Sequence, residues 1–376
     1  MKTKKKLVFL TGTRADFGKL KPLINKVEDS DNFDCYVFVT GMHTLSLYGS
    51  TFLEVKKQKY KNIFVYMNQN QTTDLDSILA NTITGFGNFV KEIKPDLIII
   101  HGDRIEAFAG GIVGTLNNIL VSHVEGGELS GTLDSIIRHS LTKLSHIHFV
   151  ANRVAKRRII QMGEDKNAVF VIGSPDIDIM LSDSLPTINQ VKKRYGIPFN
   201  EYAILIFHPV TNELETIEQQ VCSLIDSLVE SNQNYVVVYP NNDPGSSEIL
   251  KAYKQLEFNK KFRIIPSLRF EYFLMLLQKA KFIIGNSSAG IREAGIYGVP
   301  CINIGTRQIY RTKNENVTNI DPLKYDVLKT IKNLRKVRRN FEFGKGNSSE
   351  KFLKTLNNDS LWRIPIQKLF KEHYSK

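Results

Sequence analysis

Residues 119–140 read ILVSHVEGGELSGTLDSIIRHS, and they join a strand, a loop and a helix within one short stretch. Ile119–Val121 is an apolar run of strand length, and the apolar residues from Ile137 to Leu144 recur with helical spacing. Between these two patterns lie glycines and three acids, Glu125, Glu128 and Asp134. In a parallel sheet, polar residues gather where the strands end, because ligands bind beyond the carboxyl ends. The stretch therefore predicts a parallel α/β sheet with acids at its ligand-binding edge.

Short apolar runs of the same kind recur along the chain and alternate with segments of helical period. The first series is Leu7–Leu10, Cys35–Val39, Leu97–Ile100, Ile119–Val121, Ile147–Val150 and Val169–Ile172. After a turn-rich stretch the rhythm restarts with Ala203–Phe207, Tyr235–Tyr239, Phe262–Ile265, Phe282–Ile284 and Cys301–Ile304. This alternation predicts an α/β fold with two doubly wound, Rossmann-like domains whose parallel sheets face a central cleft.

The length of 376 residues suits two domains of ordinary size. We place the N-terminal domain at 1–176 and the C-terminal domain at 177–357. The last segment, about 358–376, has no obvious strand partner. It is therefore predicted to be a helix that packs back on the N-terminal domain.

Composition narrows the possible classes of protein. Hydrophobic residues make up 42% of the chain, and its longest apolar runs are strand-sized, so we expect a globular cytoplasmic protein without a membrane helix. The three cysteines, Cys35, Cys222 and Cys301, are far apart and are expected to be reduced thiols. The net charge is +13, but the basic residues are scattered and not interleaved with aromatic residues. We therefore favour a solvated basic face over nucleic-acid binding; its field would also attract an anionic small substrate.

The segment Gly285-Asn-Ser-Ser-Ala-Gly-Ile-Arg-Glu293 is a turn of small residues that leads into a helix. Backbone N–H groups and the hydroxyls of Ser287 and Ser288 would form an anion site suited to a diphosphate, and Glu293 could reach a ribose diol. The alternative is an ordinary helix cap followed by a solvent-facing glutamate. Thr11-Gly-Thr-Arg14 lacks the spacings of a P-loop and of a dinucleotide fingerprint, so neither is predicted.

Nine motifs along the chain together resemble the hydrolysing UDP-N-acetylglucosamine 2-epimerases of bacterial sialic acid biosynthesis. They are TGTRADFGKLKPL (11–23), TGMH (40–43), HGDRIEA (101–107), HVEGGELSGTLDSIIRHSLTKLSHIH (123–148), IGSPD (172–176), FHPVT (207–211), YPNND (239–243), RFEYF (269–273) and GNSSAGIREA (285–294). The resemblance implies a glycosyltransferase-B-type fold that binds UDP in the second domain and places the sugar against carboxylates of the first. It implies conversion of UDP-N-acetylglucosamine and water into N-acetylmannosamine and UDP, through 2-acetamidoglucal.

The site residues are carried over from this resemblance. The family's catalytic carboxylates match Asp103, Glu125 and Asp134, and its second-domain histidine matches His208. Arg14 and Lys19 match positions that in the family face the diphosphate and the cleft. Relatives often have a second acid directly after the position of Asp134, where this chain has Ser135. We also expect a homodimer, no cofactor and no metal.

Other interpretations of these residues remain open. Asp134 could form an ion pair with Arg138, four residues further along the helix. Glu128 could be a loop acid that caps that helix. His123 and His148 lie inside or beside strands and are expected to be core histidines. Gly126, Gly127 and Gly131 are expected to let the backbone approach the sugar.

The stereochemistry of the implied reaction explains why several acids would surround one sugar. The hydrogen on C2 lies opposite the departing UDP, so elimination needs a base on the face away from the nucleotide. The product then needs a proton delivered to C2 from the other face and a water added at C1. The competing functions are a glycosyltransferase or non-hydrolysing epimerase on the same fold, or a nucleotide-sugar-binding regulator. The substrate could also be a UDP- or GDP-linked 2,4-diacetamido-2,4,6-trideoxyglucose of legionaminic acid biosynthesis.

Overall fold

The computed structural model describes residues 4–130, 133–308, 315–321, 327–335 and 337–372. The chain divides into two compact units. Unit 1 consists of Met1–Glu128, Asp134–Ser182 and Glu342–Lys376, and unit 2 consists of Leu129–Leu133 and Asp183–Phe341. The chain thus passes into unit 2 after residue 182 and returns at residue 342, rather than at the predicted positions near 176 and 358.

Unit 1 is a parallel sheet of seven strands with interspersed helices. In chain order its elements are β1 (Lys5–Thr11), α1 (Arg14–Glu28), β2 (Phe33–Val39), α2 (Phe52–Lys56), β3 (Asn62–Val65), α3 (Leu75–Ile93), β4 (Leu97–His101), α4 (Ile105–Leu116), β5 (Leu120–Val124), α5 (Leu133–Leu144), β6 (Ile147–Val150), α6 (Arg153–Gln161), β7 (Val169–Val171) and α7 (Pro175–Met180). The strand order is β3-β2-β1-β4-β5-β6-β7, and every pairing is parallel.

Unit 2 repeats this plan around a parallel sheet of six strands. Its elements are α8 (Ile188–Tyr195), β8 (Ala203–Ile206), α9 (Ile217–Glu230), β9 (Tyr235–Val238), α10 (Ser246–Lys254), β10 (Phe262–Ile265), α11 (Phe270–Lys279), β11 (Ile283–Gly285), α12 (Ser288–Ile291), α13 (Glu293–Tyr297), β12 (Cys301–Ile304), β13 (Val317–Ile320) and α14 (Val327–Asn333). The order β10-β9-β8-β11-β12-β13 is again wholly parallel. Two parallel-sheet, Rossmann-like domains are therefore present, as predicted.

Both sheets reverse their strand order at one point, between β1 and β4 in unit 1 and between β8 and β11 in unit 2. Ligands of doubly wound sheets bind beyond the carboxyl ends of the strands at this switch point. In unit 1, the loops leaving the sheet there begin at Gly12 and Gly102, and in unit 2 at Phe207 and Asn286. The motifs that contain Arg14, Asp103, His208 and Ser287 therefore follow strands at the two switch points, whereas Glu125 follows β5, the neighbour of β4.

The strands missed by the sequence patterns are both at sheet edges. β3 and β13 each expose part of their length, and β13 reads Val317-Thr-Asn-Ile320, without a continuous apolar run. β4, in contrast, is buried at all five residues, Leu97-Ile-Ile-Ile-His101. An edge strand has one side open to water, so it needs fewer apolar residues than a central parallel strand.

The predicted terminal helix over about 358–376 is wrong within the described residues. The helix is α15 (Ser348–Leu356), earlier in the chain, and residues 358–372 contain only a 3₁₀ turn at Leu361–Arg363. Pro365 follows this turn, and a proline disfavours helical backbone in the residue before it. The segment is held instead by Lys368, whose ammonium donates to the carbonyls of Thr142 at 3.1 Å and Lys143 at 2.8 Å. Residues 373–376 lie outside the described residues.

Candidate active site

The loop after β1 positions the first acid of unit 1. Thr13 caps α1 by accepting the N–H of Asp16 at 3.1 Å, and the Asp16 Oδ2 atom accepts the N–H of Gly12 at 3.0 Å. A Cβ on Gly12 would lie 2.9 Å from the Glu106 carboxyl group. The close packing of this turn therefore requires glycine and fixes the Asp16 side chain beside the end of β4.

His101, the last residue of β4, lies between two carboxylates. Its Nδ1 atom is 2.9 Å from Asp16 Oδ1, and its Nε2 atom is 2.9 Å from Glu125 Oε2. Burial opposes protonation of the ring, but the charges of Glu125 and Asp16 outweigh it and raise the pKa of His101 from 6.5 to about 9. The two carboxylates therefore favour the protonated form of the ring.

Glu125, predicted to be catalytic, is held from several sides just after β5. Its Oε1 atom accepts a hydrogen bond from the Ser174 hydroxyl, and its Oε2 atom faces His101. Its backbone N–H donates to Phe149 at 2.8 Å, and its φ of 66° lies in the left-handed region, which is uncommon outside glycine. Such a backbone persists only where its surroundings impose it, which is frequent at functional sites. The carboxylate therefore has one defined position.

Asp103 and Arg138 form an ion pair between the loop after β4 and helix α5. The Arg138 side chain is 1% exposed, whereas that of Asp103 is 22% exposed, so the carboxylate end of the pair reaches solvent. Arg138 also donates to the backbone carbonyl of Glu128 at 3.1 Å. Arg138 therefore links the loop after β4 to the loop after β5, which contains Gly126 and Gly127. Asp134 lies half-buried in the first turn of α5.

The glycines after β5 are explained by packing within unit 1. A Cβ on Gly126 would lie 2.8 Å from the His123 ring, and one on Gly127, whose φ is 78°, would lie 2.5 Å from the carbonyl oxygen of Ala155. These contacts with protein groups are by themselves sufficient to require glycine or a shift of the neighbouring groups at both positions. Gly131 lies outside the described residues.

The basic residues expected to face the diphosphate are engaged with acids of the same unit. Arg14 Nη2 lies 2.7 Å from Glu54 Oε1, and Lys19 Nζ lies 3.3 Å from Asp176 Oδ2. Lys19 and Asp176 are both buried. These ion pairs hold the side chains of Arg14 and Lys19, which belong to the first two turns of α1.

His43, His123 and His148 are completely buried in unit 1. Burial lowers the pKa of His43 to about 4 and that of His123 to about 3, and it also lowers the pKa of His148. His123 Nε2 lies 2.7 Å from the Gly102 carbonyl, and His148 Nε2 lies 3.2 Å from Glu164. His123 and His148 are thus neutral core histidines, as predicted.

In unit 2, Asn286 joins the ends of β8 and β11. Its side chain accepts the N–H of His208 at 2.7 Å and donates to the carbonyl of His208 at 2.8 Å. The His208 Nδ1 atom accepts the N–H of Asn241 at 3.1 Å. Because Nδ1 is an acceptor, the neutral ring carries its proton on Nε2. His208, predicted to be catalytic, is therefore fixed in both orientation and tautomer.

The small-residue turn of unit 2 leads into a helix, as predicted, but that helix is broken into two short helices. Ser287 caps α12 by accepting the Ala289 N–H at 3.3 Å, and a second short helix, α13, begins at Glu293. Glu293 is only 2% exposed, so it is not the solvent-facing residue of the alternative interpretation. Ser288 is half-buried at the start of α12.

Three residues at these sites were missed from the sequence. Asp16 and His101 flank Glu125 in unit 1, and in unit 2 Arg307 donates to the carbonyl of Asn286 at 3.3 Å, which places a cation beside the serine turn. His101 directly follows the predicted strand Leu97–Ile100 and is the first residue of the motif HGDRIEA (101–107), a position that could have marked it. Arg307 lies in a loop without a motif, and nothing in its local pattern indicated it.

No group of three or more histidine, cysteine, aspartate or glutamate residues in the described ranges is arranged to hold a metal ion. No helix within the same ranges has the length and apolar character required to cross a bilayer.

Comparison with known proteins places these residues in a family context. The model of a family described as UDP-N-acetylglucosamine 2-epimerase matches residues 25–357. The chain is 45% identical to a UDP-N-acetylglucosamine 2-epimerase of Neisseria meningitidis serogroup B, over 97% of this chain and 98% of the relative. It is 33% identical to a UDP-N,N'-diacetylbacillosamine 2-epimerase (hydrolyzing) of Legionella pneumophila, over 94% of this chain and 96% of the relative.

The fold also resembles solved structures. The crystal structure of a UDP-GlcNAc 2-epimerase from Methanocaldococcus jannaschii, in complex with UDP-GlcNAc and UDP, superposes with a TM-score of 0.79. The two chains are 22% identical, and the match covers 93% of this chain and 99% of the other. At this identity the likeness supports the fold alone.

Proposed function

The chain belongs to the UDP-N-acetylglucosamine 2-epimerase family, and we propose that it is a hydrolysing member, converting UDP-N-acetylglucosamine and water into N-acetylmannosamine and UDP. The observation that carries the proposal is the cluster at the carboxyl ends of β4 and β5, where Asp103 and Glu125 are held by buried partners. Two carboxylates of unequal exposure, beyond the carboxyl ends of neighbouring parallel strands, suit acid–base work on one sugar ring. The relative named as a hydrolyzing 2-epimerase, 33% identical, adds support for the use of water.

The reaction divides into an elimination and a hydration. In the elimination, a carboxylate removes the proton from C2, and the C1–O bond breaks with its electron pair leaving on UDP, which gives 2-acetamidoglucal. In the hydration, a carboxylic acid returns a proton to C2 from the opposite face while water adds its hydroxide to C1 and gives its remaining proton to a carboxylate. Positive charge builds at C1 in both steps, and a fixed anion stabilises it. Asp103, Glu125 and Asp134 are the residues proposed for these tasks.

The proposed nucleotide site lies in unit 2. Ser287 and Ser288 donate hydroxyl hydrogens to the diphosphate, the buried carboxylate of Glu293 accepts from the ribose diol, and Arg307 adds a positive charge beside the serine turn. His208 donates from Nε2 toward the phosphate oxygens, because its Nδ1 atom is occupied by the Asn241 N–H. Arg14 and Lys19, which pair with Glu54 and Asp176 within unit 1, are proposed as further substrate-binding residues.

Substitutions in unit 2 test this nucleotide site. We expect Ser288→Ala and Glu293→Ala each to raise the dissociation constant of UDP by several-fold to about a hundredfold, because each removes a hydrogen bond to a charged or polar ligand group. Ser247→Ala, which removes an exposed hydroxyl on α10, is the matched control and should bind UDP as wild type does. Isothermal titration calorimetry measures all three, and unchanged affinity in both site variants would remove these residues from the proposed site.

Reaction in deuterated water tests whether the two proton transfers at C2 occur on opposite faces of the sugar ring. In deuterated water the enzyme should place one deuterium at C2 of N-acetylmannosamine, because the original proton leaves on one face and solvent supplies its replacement on the other. Proton NMR of the product measures the incorporation. Retention of the original hydrogen would instead require a shielded single base, and the assignment of separate carboxylates to the two faces would fail.

A second candidate substrate is a UDP- or GDP-linked 2,4-diacetamido-2,4,6-trideoxyglucose. The Legionella relative, which acts by its name on UDP-N,N'-diacetylbacillosamine, favours this candidate, whereas the relative at 45% identity favours UDP-N-acetylglucosamine. Release of free sugar from each nucleotide sugar, with no acceptor present, decides between them. The same assay excludes a glycosyltransferase, which would need an acceptor.

A further inference from the structure

Asp16, His101, Glu125 and Ser174 form one continuous chain of contacts within unit 1. Asp16 is anchored by the N–H of Gly12, His101 lies 2.9 Å from Asp16 on one side and 2.9 Å from Glu125 on the other, and Ser174 donates to the second oxygen of Glu125. These contacts connect α1, β4, the loop after β5 and the residue before α7. His101 is 9% exposed, Glu125 3% and Ser174 1%.

The geometry determines how many protons the imidazole carries. A neutral ring has one N–H and one lone pair, so it would oppose a lone pair to one of the two carboxylates at 2.9 Å. An imidazolium presents an N–H to Glu125 through Nε2, and its positive charge lies beside Asp16, whose Oδ1 atom is 2.9 Å from Nδ1. The four contacting residues then carry one positive and two negative charges. The positive ring offsets the free-energy cost of burying the two carboxylates.

We propose that His101 is a positioning residue, an imidazolium anchored by Asp16 that keeps the carboxylate of Glu125 ionised and fixed in orientation. The inference rests on the proposed function, since it assigns His101 a part in the sugar chemistry through Glu125. Both oxygens of Glu125 accept hydrogen bonds, from His101 and Ser174, so this carboxylate suits the stabilisation of positive charge at C1. The more exposed Asp103 and Asp134 are then the groups that exchange protons with the sugar and solvent.

The first measurement needs no substrate. In protein labelled with ¹⁵N in histidine only, the ring nitrogen shifts distinguish a protonated ring from a neutral one. At pH 8 we expect one buried ring with both nitrogens protonated, titrating near pH 9, and neutral rings for His43, His123 and His148, whose pKa values burial lowers. His101→Gln should remove the protonated signal. If that variant does not fold, Asp16→Asn assigns the signal by moving its titration to lower pH.

The matched control for Asp16→Asn is Asp31→Asn, which removes the same charge from an exposed loop after α1. This control should leave the titration of the protonated ring unchanged. A neutral His101 at pH 8 in the wild-type protein, or an unchanged titration in Asp16→Asn, overturns the proposal. Neither result depends on which nucleotide sugar is the substrate, so failure here is distinguishable from failure of the proposed function.

The pH profile of kcat/KM then tests positioning. The titratable groups that face the ring are Asp16 on α1, Glu125 after β5 and His123 on β5, and His123 remains neutral because burial lowers its pKa to about 3. Loss of the cation disfavours the ionised carboxylate, so in His101→Gln the acidic limb should move to higher pH and kcat should fall at least about tenfold. Wild-type kcat and an unmoved acidic limb in His101→Gln, with the ring protonated in the parent, would also overturn the proposal.

Discussion

At least one of Asp103→Asn, Glu125→Gln and Asp134→Asn is expected to release UDP together with 2-acetamidoglucal instead of N-acetylmannosamine. Elimination and hydration use opposite faces of the ring, so a carboxylate that serves only the hydration is dispensable for breaking the C1–O bond. The rate of N-acetylmannosamine formation should fall by about 10²–10⁴-fold in each variant, the usual contribution of a positioned acid or base. Proton NMR of the reaction mixture distinguishes the glycal from the free sugar.

The amides are chosen because they change charge with little change in shape. Asp76→Asn, at the exposed start of α3, is the matched control and should react as wild type does. Melting temperatures close to that of wild type would show that the three site variants remain folded. Near-wild-type formation of N-acetylmannosamine in all three would remove these carboxylates from the proposed chemistry. If elimination and hydration were lost equally in all three variants, the two faces of the sugar ring would not be served by separate carboxylates.

Gly285→Ala is expected to disrupt unit 2. Gly285 ends β11 with a φ of 128°, and a Cβ there would lie 1.9 Å from the carbonyl oxygen of Ile206 on the adjacent strand. Neither the backbone of β8 nor that of β11 can move without breaking the parallel pairing of these strands. We expect a loss of about 3 kcal/mol or more in the stability of unit 2, equivalent to a fall in its Tm of about 6–12 °C. UDP binding should be lost as well, because the serine turn begins at the next residue.

Gly196→Ala is the matched control within the same unit. Gly196 also has a positive φ, 60°, but its nearest neighbour is the flexible end of Arg263 at 3.2 Å. The backbone strain alone should cost about 1 kcal/mol. Differential scanning calorimetry and UDP titration compare the two variants. If Gly285→Ala melts no lower than Gly196→Ala and binds UDP normally, the close approach of these two strands does not constrain the turn.

Much of the proposed site was predictable because polar residues follow the strands in parallel sheets. Asp103, Glu125, His208 and the serine turn all come directly after apolar runs that proved to be β4, β5, β8 and β11. The family resemblance then proposed individual roles for residues that spacing alone left open. Arg138 also has a partner in Asp103, 35 residues earlier, which spacing along the helix could not indicate.

The predicted helix over about 358–376 is wrong for two reasons, one local and one distant in the sequence. Residues 358–372 form a 3₁₀ turn and an irregular segment, held by Lys368 on the carbonyls at the end of α5 and by its contact with Glu164 at 2.7 Å. Pro365 already disfavoured a helix over this range. The carbonyls that receive Lys368 lie more than 200 residues earlier, so no local pattern could have indicated them.

By itself the sequence determined the class of fold, the two parallel sheets and the polar residues at the carboxyl ends of their strands. These properties follow from hydrophobic period and strand length, which act over a few neighbouring residues. Only the tertiary structure decided which of those residues meet. Asp16, His101, Glu125 and Ser174 come together because β1, β4 and β5 are neighbours in the sheet, although they are separated along the chain. This strand order places both carboxylates beside the His101 ring, and nearby carboxylates favour its protonated form.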